Sequence, residues 1–257
     1  MRIAPIVIVV VLLPVLSSHA GSGRVVIAEG GKHRILVVDR ESRVIVTEKS
    51  DFRRVDCLAA LAADALIVCD SSQFVRLGVD LTERARTPVA FERVGSVTPL
   101  GSDQLLVSDV GRHAVVLIDG LGNELSSIPV HFPSNVVRLP RGRLLVADGT
   151  PTLKTFERDG TVVSQLGLKR WAVSLDVAAS GDVLVGESLG YERFDVSHRQ
   201  VWFRPSKSRV SCIQQLANDE VLLCEPDAHR VVIVDGDGVL VWEFADLDYP
   251  WRAAYIR

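Results

Sequence analysis

Six times along the chain a short apolar run ends in an acidic residue, and the interval between these acids barely changes. Glu29, Asp70, Asp109, Asp148, Glu187 and Glu225 close the runs VVIAE, LIVCD, LLVSD, LLVAD, VLVGE and LLCE, in steps of 41, 39, 39, 39 and 38 residues. A unit of this length made only of strands cannot bury its apolar side chains alone and must stack on copies of itself. Repeated four-stranded units of this kind build a β-propeller.

The rest of each repeat fits four strands, A to D, with the periodic acid at the end of B. A second acid follows 8 to 11 residues later, at Asp39, Asp80, Asp119, Asp159, Asp195 and Asp235. Between the two acids lies another apolar run, such as RILVVD, AVVLID or RVVIVD. Turns with Asp-Gly (Asp119-Gly120, Asp159-Gly160, Asp235-Gly236) then lead into RVIVTE, VVSQL, QVWFR and VLVWEF, and Asp-Gly between strand-like runs marks a hairpin. Runs without alternation predict sheets covered on both faces. Residues 24–48 supply strands B, C and D but no A, whereas Pro250–Ile256 reads as a strand A with nothing after it. The two ends therefore complete one blade and close an all-β ring of six antiparallel blades with no open edge.

The pattern LLVSD, hairpin, VVLIDGLGNEL, with the turns in LGSDQLLVSD and LPRGRLLVAD, resembles the NHL and PQQ-like β-propeller repeat families over the whole mature chain. The resemblance implies the fold and leaves function open, since such propellers serve as scaffolds, binders and enzymes. DGDGVLVWEF carries the turn and Trp of a PQQ-like repeat, but most blades lack that Trp, so no bound quinone is implied.

The chain has 257 residues, and its first 20 read as a cleaved secretory signal. Met1-Arg2 is basic, Ile3 to Leu16 is almost wholly apolar, and Ser18-His19-Ala20 sets small residues for a cut after Ala20. The apolar run is too short to span a bilayer comfortably. Residues 21–257 then form one domain, secreted or periplasmic, without stable membrane insertion and expected to be a monomer. A net charge of −3 gives no reason to expect a nucleic-acid partner.

Four cysteines occupy matched places. Cys57 and Cys69, and Cys212 and Cys224, are each 12 apart at the same two repeat registers, where other blades carry Ser96/Ser108, Asn135/Ala147 and Ser174/Gly186. Pairing within two blades and absence from the others predicts two disulfides, Cys57–Cys69 and Cys212–Cys224.

The periodic acids are expected to brace turns, because chemistry needs an asymmetric site. His33, His113 and His229 share one hairpin register but lie on non-adjacent blades, too far apart for one metal ion. HExxH, CxxC, P-loop and GxSxG motifs are absent. No cofactor, metal or catalytic residue is predicted. The most unusual set stands three residues before the strand-A Cys register: Arg54, Arg93, Phe132, Trp171, Arg209 and Trp251, with Lys169, Arg170 and Lys207 close by. At the entrance of the inner strands these side chains would ring one mouth of the channel, where Arg recognises anions and aromatic faces stack. The expectation is a non-catalytic binder of an anionic small molecule or a protein partner. The alternative is a lactonase-like metal-dependent hydrolase drawing on Asp56, Asn135, Asp176 and Asp248. A quinoprotein dehydrogenase would need more blades than the chain can form.

Overall fold

The inner strands lack alternation because both of their faces meet another sheet. The computed structural model describes residues 23–62, 64–101 and 103–256 and consists of six four-stranded antiparallel sheets. The expected signal segment, residues 1–20, lies outside the described residues.

Blade 1 contains β1 (Arg24–Glu29), β2 (Arg34–Asp39) and β3 (Ile45–Lys49). Blade 2 is β4 (Val55–Ala62), β5 (Ala65–Asp70), β6 (Gln73–Gly78) and β7 (Glu83–Pro88). Blade 3 is β8 (Val94–Pro99), β9 (Gln104–Asp109), β10 (Ala114–Asp119) and β11 (Glu124–Pro129). Blade 4 is β12 (Asn135–Arg138), β13 (Leu144–Ala147), β14 (Thr152–Phe156) and β15 (Val162–Gly167). Blade 5 is β16 (Ala172–Val177), β17 (Val183–Glu187), β18 (Gly190–Phe194) and β19 (Gln200–Pro205). Blade 6 is β20 (Cys212–Gln215), β21 (Val221–Glu225), β22 (Arg230–Val234) and β23 (Leu240–Phe244). The last strand, β24 (Pro250–Ile256), pairs with β1 in the register Val26↔Ala254 and completes blade 1 as its innermost strand.

Six apolar clusters hold the ring, one between each pair of neighbouring blades. In β1, Val25 and Ile27 pack towards blade 6 with Leu222 and Trp242, while Val26 and Ala28 pack towards blade 2 with Leu66 and Val75. Successive side chains of a strand point to opposite faces, so a strand between two blades must be apolar at every position. Outer strands have one wet face, and β3 and β15 leave Ile45, Val46 and Val162 exposed. Pro88, Pro129 and Pro205 end three outer strands, where a missing N–H costs no ladder bond and discourages edge pairing.

Both expected disulfides are present. Cys57–Cys69 joins β4 to β5 and Cys212–Cys224 joins β20 to β21, with Cα atoms 4.9 and 5.0 Å apart. The same cross-strand register holds Ser96 and Ser108 in blade 3, whose hydroxyls lie 3.0 Å apart, and Ser174 opposite Gly186 in blade 5. A Cβ on Gly186 would stand 2.2 Å from Ser174 Oγ, so that pair admits no second side chain.

Blade 3 thus provides an internal design for the loss of a disulfide. Replacing Cys57 and Cys69 together by Ser should give a folded ring stabilised by roughly 2–3 kcal/mol less. Denaturant midpoints of the two proteins measure it; equal midpoints would show that the cross-link adds nothing.

Candidate ligand site at the channel mouth

The strand-closing acids are buried, and five of the six are tied to neighbouring turns or cations. Asp70 Oδ1 accepts the N–H groups of Arg53 and Arg54 at 2.8 and 3.1 Å, and its Oδ2 pairs with Arg86 at 2.9 Å. Asp109 accepts Arg112 N–H, Asp148 accepts Thr150 Oγ1 and pairs with Lys154, Glu29 accepts Asp248 N–H and pairs with Arg34, and Glu225 pairs with Arg230. Asp70 and Glu29 thereby fix the entry to strand A, while Asp109 and Asp148 hold the turn that follows strand B, the bracing role read from the sequence.

The histidines brace the same loops. His33, His113 and His229 take φ of 51°, 55° and 54°, the left-handed conformation that a tight hairpin requires and that His tolerates better than most residues. His113 Nδ1 accepts the N–H of Phe132 at 3.2 Å, and His229 Nδ1 lies 2.9 Å from Leu247 O.

Glu187 is the exception. The hairpin of blade 5 is two residues shorter than usual, and β18 brings Glu192 opposite Val185. Leu36, Val75, Val116 and Val232 hold this register in four other blades, and Lys154 in blade 4. Glu187 and Glu192 are both buried, and among the described residues the cation paired with Glu187 is Arg170 at 3.6 Å. With both groups ionised, Glu187 has no hydrogen-bond donor; a proton on Glu192 supplies one. Burial, reinforced by Glu187, pushes the Glu192 carboxyl up to about 7, while Gln200 Nε2, donating at 2.7 Å, opposes the shift.

The ring expected at the strand entrances divides. Arg54 pairs with Asp56 at 2.8 Å, as its local neutralisation would require. Arg209 donates to Tyr249 Oη and Asp227 and lies over the stacked rings of Tyr249 and Trp251. Neither Arg54 nor Arg209 lines the mouth cavity. Arg93, Phe132, Trp171 and Trp251 do line it, together with Val94, Gly95, Val110, Val173 and Asp56. This cavity has a volume of about 450 Å³ and mainly apolar walls. Trp171 is 63% exposed at its rim, and the Arg93 guanidinium sits 6.0 Å from the Phe132 ring. Arg93 makes no ion pair with a carboxylate among the described residues. Burial raises the Asp56 carboxyl, against the pull of Arg54.

Arg252 is the residue that sequence reasoning missed. It is 7% exposed and pairs with Ala28, the residue before the strand-closing acid, a register that Cys57, Ser96, Asn135, Ser174 and Cys212 hold in the other blades. Its side chain crosses the axis from blade 1, donating Nη2 to Gly95 O of blade 3 at 2.6 Å and Nη1 to Ser211 O beside blade 6. Gly95 has no room for a side chain, because a Cβ there would stand 2.7 Å from Ser134 O. Arg252 borders both the mouth cavity and a second cavity of about 220 Å³ within the channel, lined by Asn135, Asp176 and Gln214 among others. The mouth is therefore a cup with Arg252 in its floor. Burial with no acidic partner pulls this guanidinium down to about 10, so it stays charged at neutral pH.

Deeper in the channel, burial pushes Asp176 up to about 6, although its carboxylate accepts the N–H groups of Gln215 and Val177 at 2.6 and 2.8 Å. The acids considered for a metal centre do not converge: Asp56 lies at the mouth, Asn135 and Asp176 line the inner channel, and Asp248 borders neither cavity. No group of three His, Cys, Asp or Glu that could hold a metal ion occurs among the described residues.

The chain is similar in fold to several solved structures. A protein of unknown function from Bacteroides caccae is 16% identical with a TM-score of 0.78, over 92% of this chain and 100% of that one. A chain in a nidogen/laminin complex is 14% identical with a TM-score of 0.73, over 91% of this chain and 98% of that one. Virginiamycin B lyase from Staphylococcus aureus, solved as a catalytically inactive histidine-to-alanine variant with quinupristin, is 10% identical with a TM-score of 0.62, over 88% and 86%. No protein-family model and no curated protein matches the chain. At these identities the likeness is one of fold alone.

The buried acid pair gives stability a definite pH dependence. The folded state holds the Glu192 proton between about pH 4.5 and 7, where the unfolded chain releases it, so this group's contribution is full below pH 4.5 and is lost as pH rises through 7. Glu192→Gln should therefore gain about 1–3 kcal/mol over the native protein between pH 4.5 and pH 8. Denaturant unfolding at the two pH values measures the gain, and Asp176, common to both proteins, cancels. Parallel profiles would refute it.

Proposed function

We propose that the chain is a non-catalytic propeller that binds a small ligand in the cup at its channel mouth. The observation that carries this reading is the cavity itself: about 450 Å³, walled by Phe132, Trp171 and Trp251, with Arg93 at its side and Arg252 in its floor. A concave apolar site with a few polar groups at defined places is the usual form of a small-molecule pocket. The resemblance to NHL and PQQ-like repeats is compatible with binding and adds no cofactor. Two disulfides and the apolar leader of residues 1–20 support a secreted or periplasmic location.

The hydrolase alternative is less well supported, since its acids lie at three different places. A lyase working through histidine is disfavoured as well: among the described residues no His lines either cavity.

A fragment library screened by ligand-observed NMR tests the reading. Fragments should bind at the mouth, and Trp171→Ala should weaken them about tenfold or more, while a chelator leaves the melting temperature unchanged. Fragments insensitive to Trp171→Ala would overturn the mouth as the site. A calcium-dependent rise of several degrees in melting temperature, together with lactone hydrolysis, would favour the hydrolase.

A further inference from the structure

We infer that the mouth takes an amphipathic organic monoanion, an aromatic body bearing one carboxylate that points down to Arg252. This rests on the mouth being the ligand site and adds the chemistry of the ligand. The first observation is the electrostatics of the floor. Arg252 is the one charge at a register that holds Cys57, Ser96, Asn135, Ser174 and Cys212 in the other blades, is buried, and has no carboxylate partner among the described residues. Placing a guanidinium where no acid offsets it costs several kcal/mol in general. Gly95 O and Ser211 O supply the negative ends of two dipoles and take one donor each. Arg has five N–H donors in a planar fork, which leaves some for a ligand entering from the cup.

The second observation is the balance of charge around the cup. Asp56 is already held by Arg54, and Arg209 by Asp227 and Tyr249, so these two ion pairs add little net charge. Arg93 and Arg252 remain, both cationic and neither in an ion pair. A bound carboxylate would meet positive charge at the buried floor, where Coulomb attraction is less screened than at the surface.

The third observation concerns the walls. Val94, Val110, Val173, Phe132, Trp171 and Trp251 offer apolar and aromatic surface with few hydrogen-bond donors. A phosphate or a sugar would leave most of its polar atoms without partners there, whereas an aromatic acid would not. A cationic ligand fits poorly, because guanidinium groups already face the rings: Arg93 over Phe132 at 6.0 Å, and Arg209 and Arg252 over Trp251 at 5.3 and 5.0 Å.

Calorimetric titration of the mature chain with 2-naphthoate and indole-3-acetate, each beside its neutral amide, tests the inference. Each acid should bind at least about tenfold more tightly than its amide. Arg252→Met should bring the acids down to the level of the amides and leave the amides unchanged. Arg93→Gln should act in the same direction, and it keeps the test decisive if the Arg252 variant does not fold. Trp171→Ala should weaken acids and amides alike. Equal binding of acid and amide, or an acid preference that survives both arginine substitutions, would overturn the anion inference while leaving the mouth as the site. Absence of binding by all four probes, or binding untouched by Trp171→Ala, would overturn the mouth reading along with it.

Discussion

Each blade is held by apolar contact with the blades on either side, and the ring closes only because its first and last strands share a sheet. In β1, Val25 and Ile27 serve one interface and Val26 and Ala28 the other. The inner strands of such an arrangement have no spare face, so the interior is six separate two-sheet cores and not one central core. A blade removed from the ring would expose both of its faces at once. Stability in repeat architectures is carried by these nearest-neighbour interfaces, and pairing of β24 with β1 removes the terminal blade that would otherwise have one wet face.

That constraint explains which parts of the molecule could be read from the residues. Both-face burial prints the apolar runs directly, and the strand-closing acids mark where each run must turn, so blade number and boundaries are visible in the spacing. The cysteine pairs are visible because two blades differ from the others at the same two registers. The Arg/aromatic ring is visible as a register but not as a site. Whether an Arg faces the cavity or a local acid depends on loop geometry, which is why Arg54 turned to Asp56 and Arg209 to Asp227 and Tyr249 while Arg93 stayed at the mouth. Arg252 was hidden because pairing with Ala28 sets it at the register of Cys57, Ser96, Asn135, Ser174 and Cys212, two places from where counting residues along the last repeat puts it. Glu192 was hidden by the short hairpin of blade 5, which shifts strand C by two residues against the acid count, so that only pairing to Val185 reveals an acid at an apolar register.

The fold is shared with proteins as different as a lyase, a chain in a nidogen/laminin complex and a protein of unknown function. Interfaces between blades make no demand on the residues that face the axis, so the channel is free to differ from one such protein to the next. Here its contents are uneven. Arg252 and Asn135 hold the same strand register on blades 1 and 4, and both line the inner cavity with Asp176 of blade 5.

The buried polar exceptions differ in what they can exchange with. Glu187 and Glu192 are buried on neighbouring strands of blade 5, and the donor that Glu187 lacks is a proton on Glu192, so their effect falls on stability. Arg252 borders a cavity open to solvent at Trp171, so it can be relieved from outside by any anion that reaches the floor. Its guanidinium also spans the axis between carbonyls of blade 3 and blade 6, tying blade 1 to two other blades at the point where the channel would otherwise run through. One side chain thereby turns a tube into a cup and sets the charge at its base. A ligand drawn to that charge would lie against the walls of blades 1, 3, 4 and 5 at once, and the rigidity of the ring would hold those walls at fixed separation whether or not the ligand is bound.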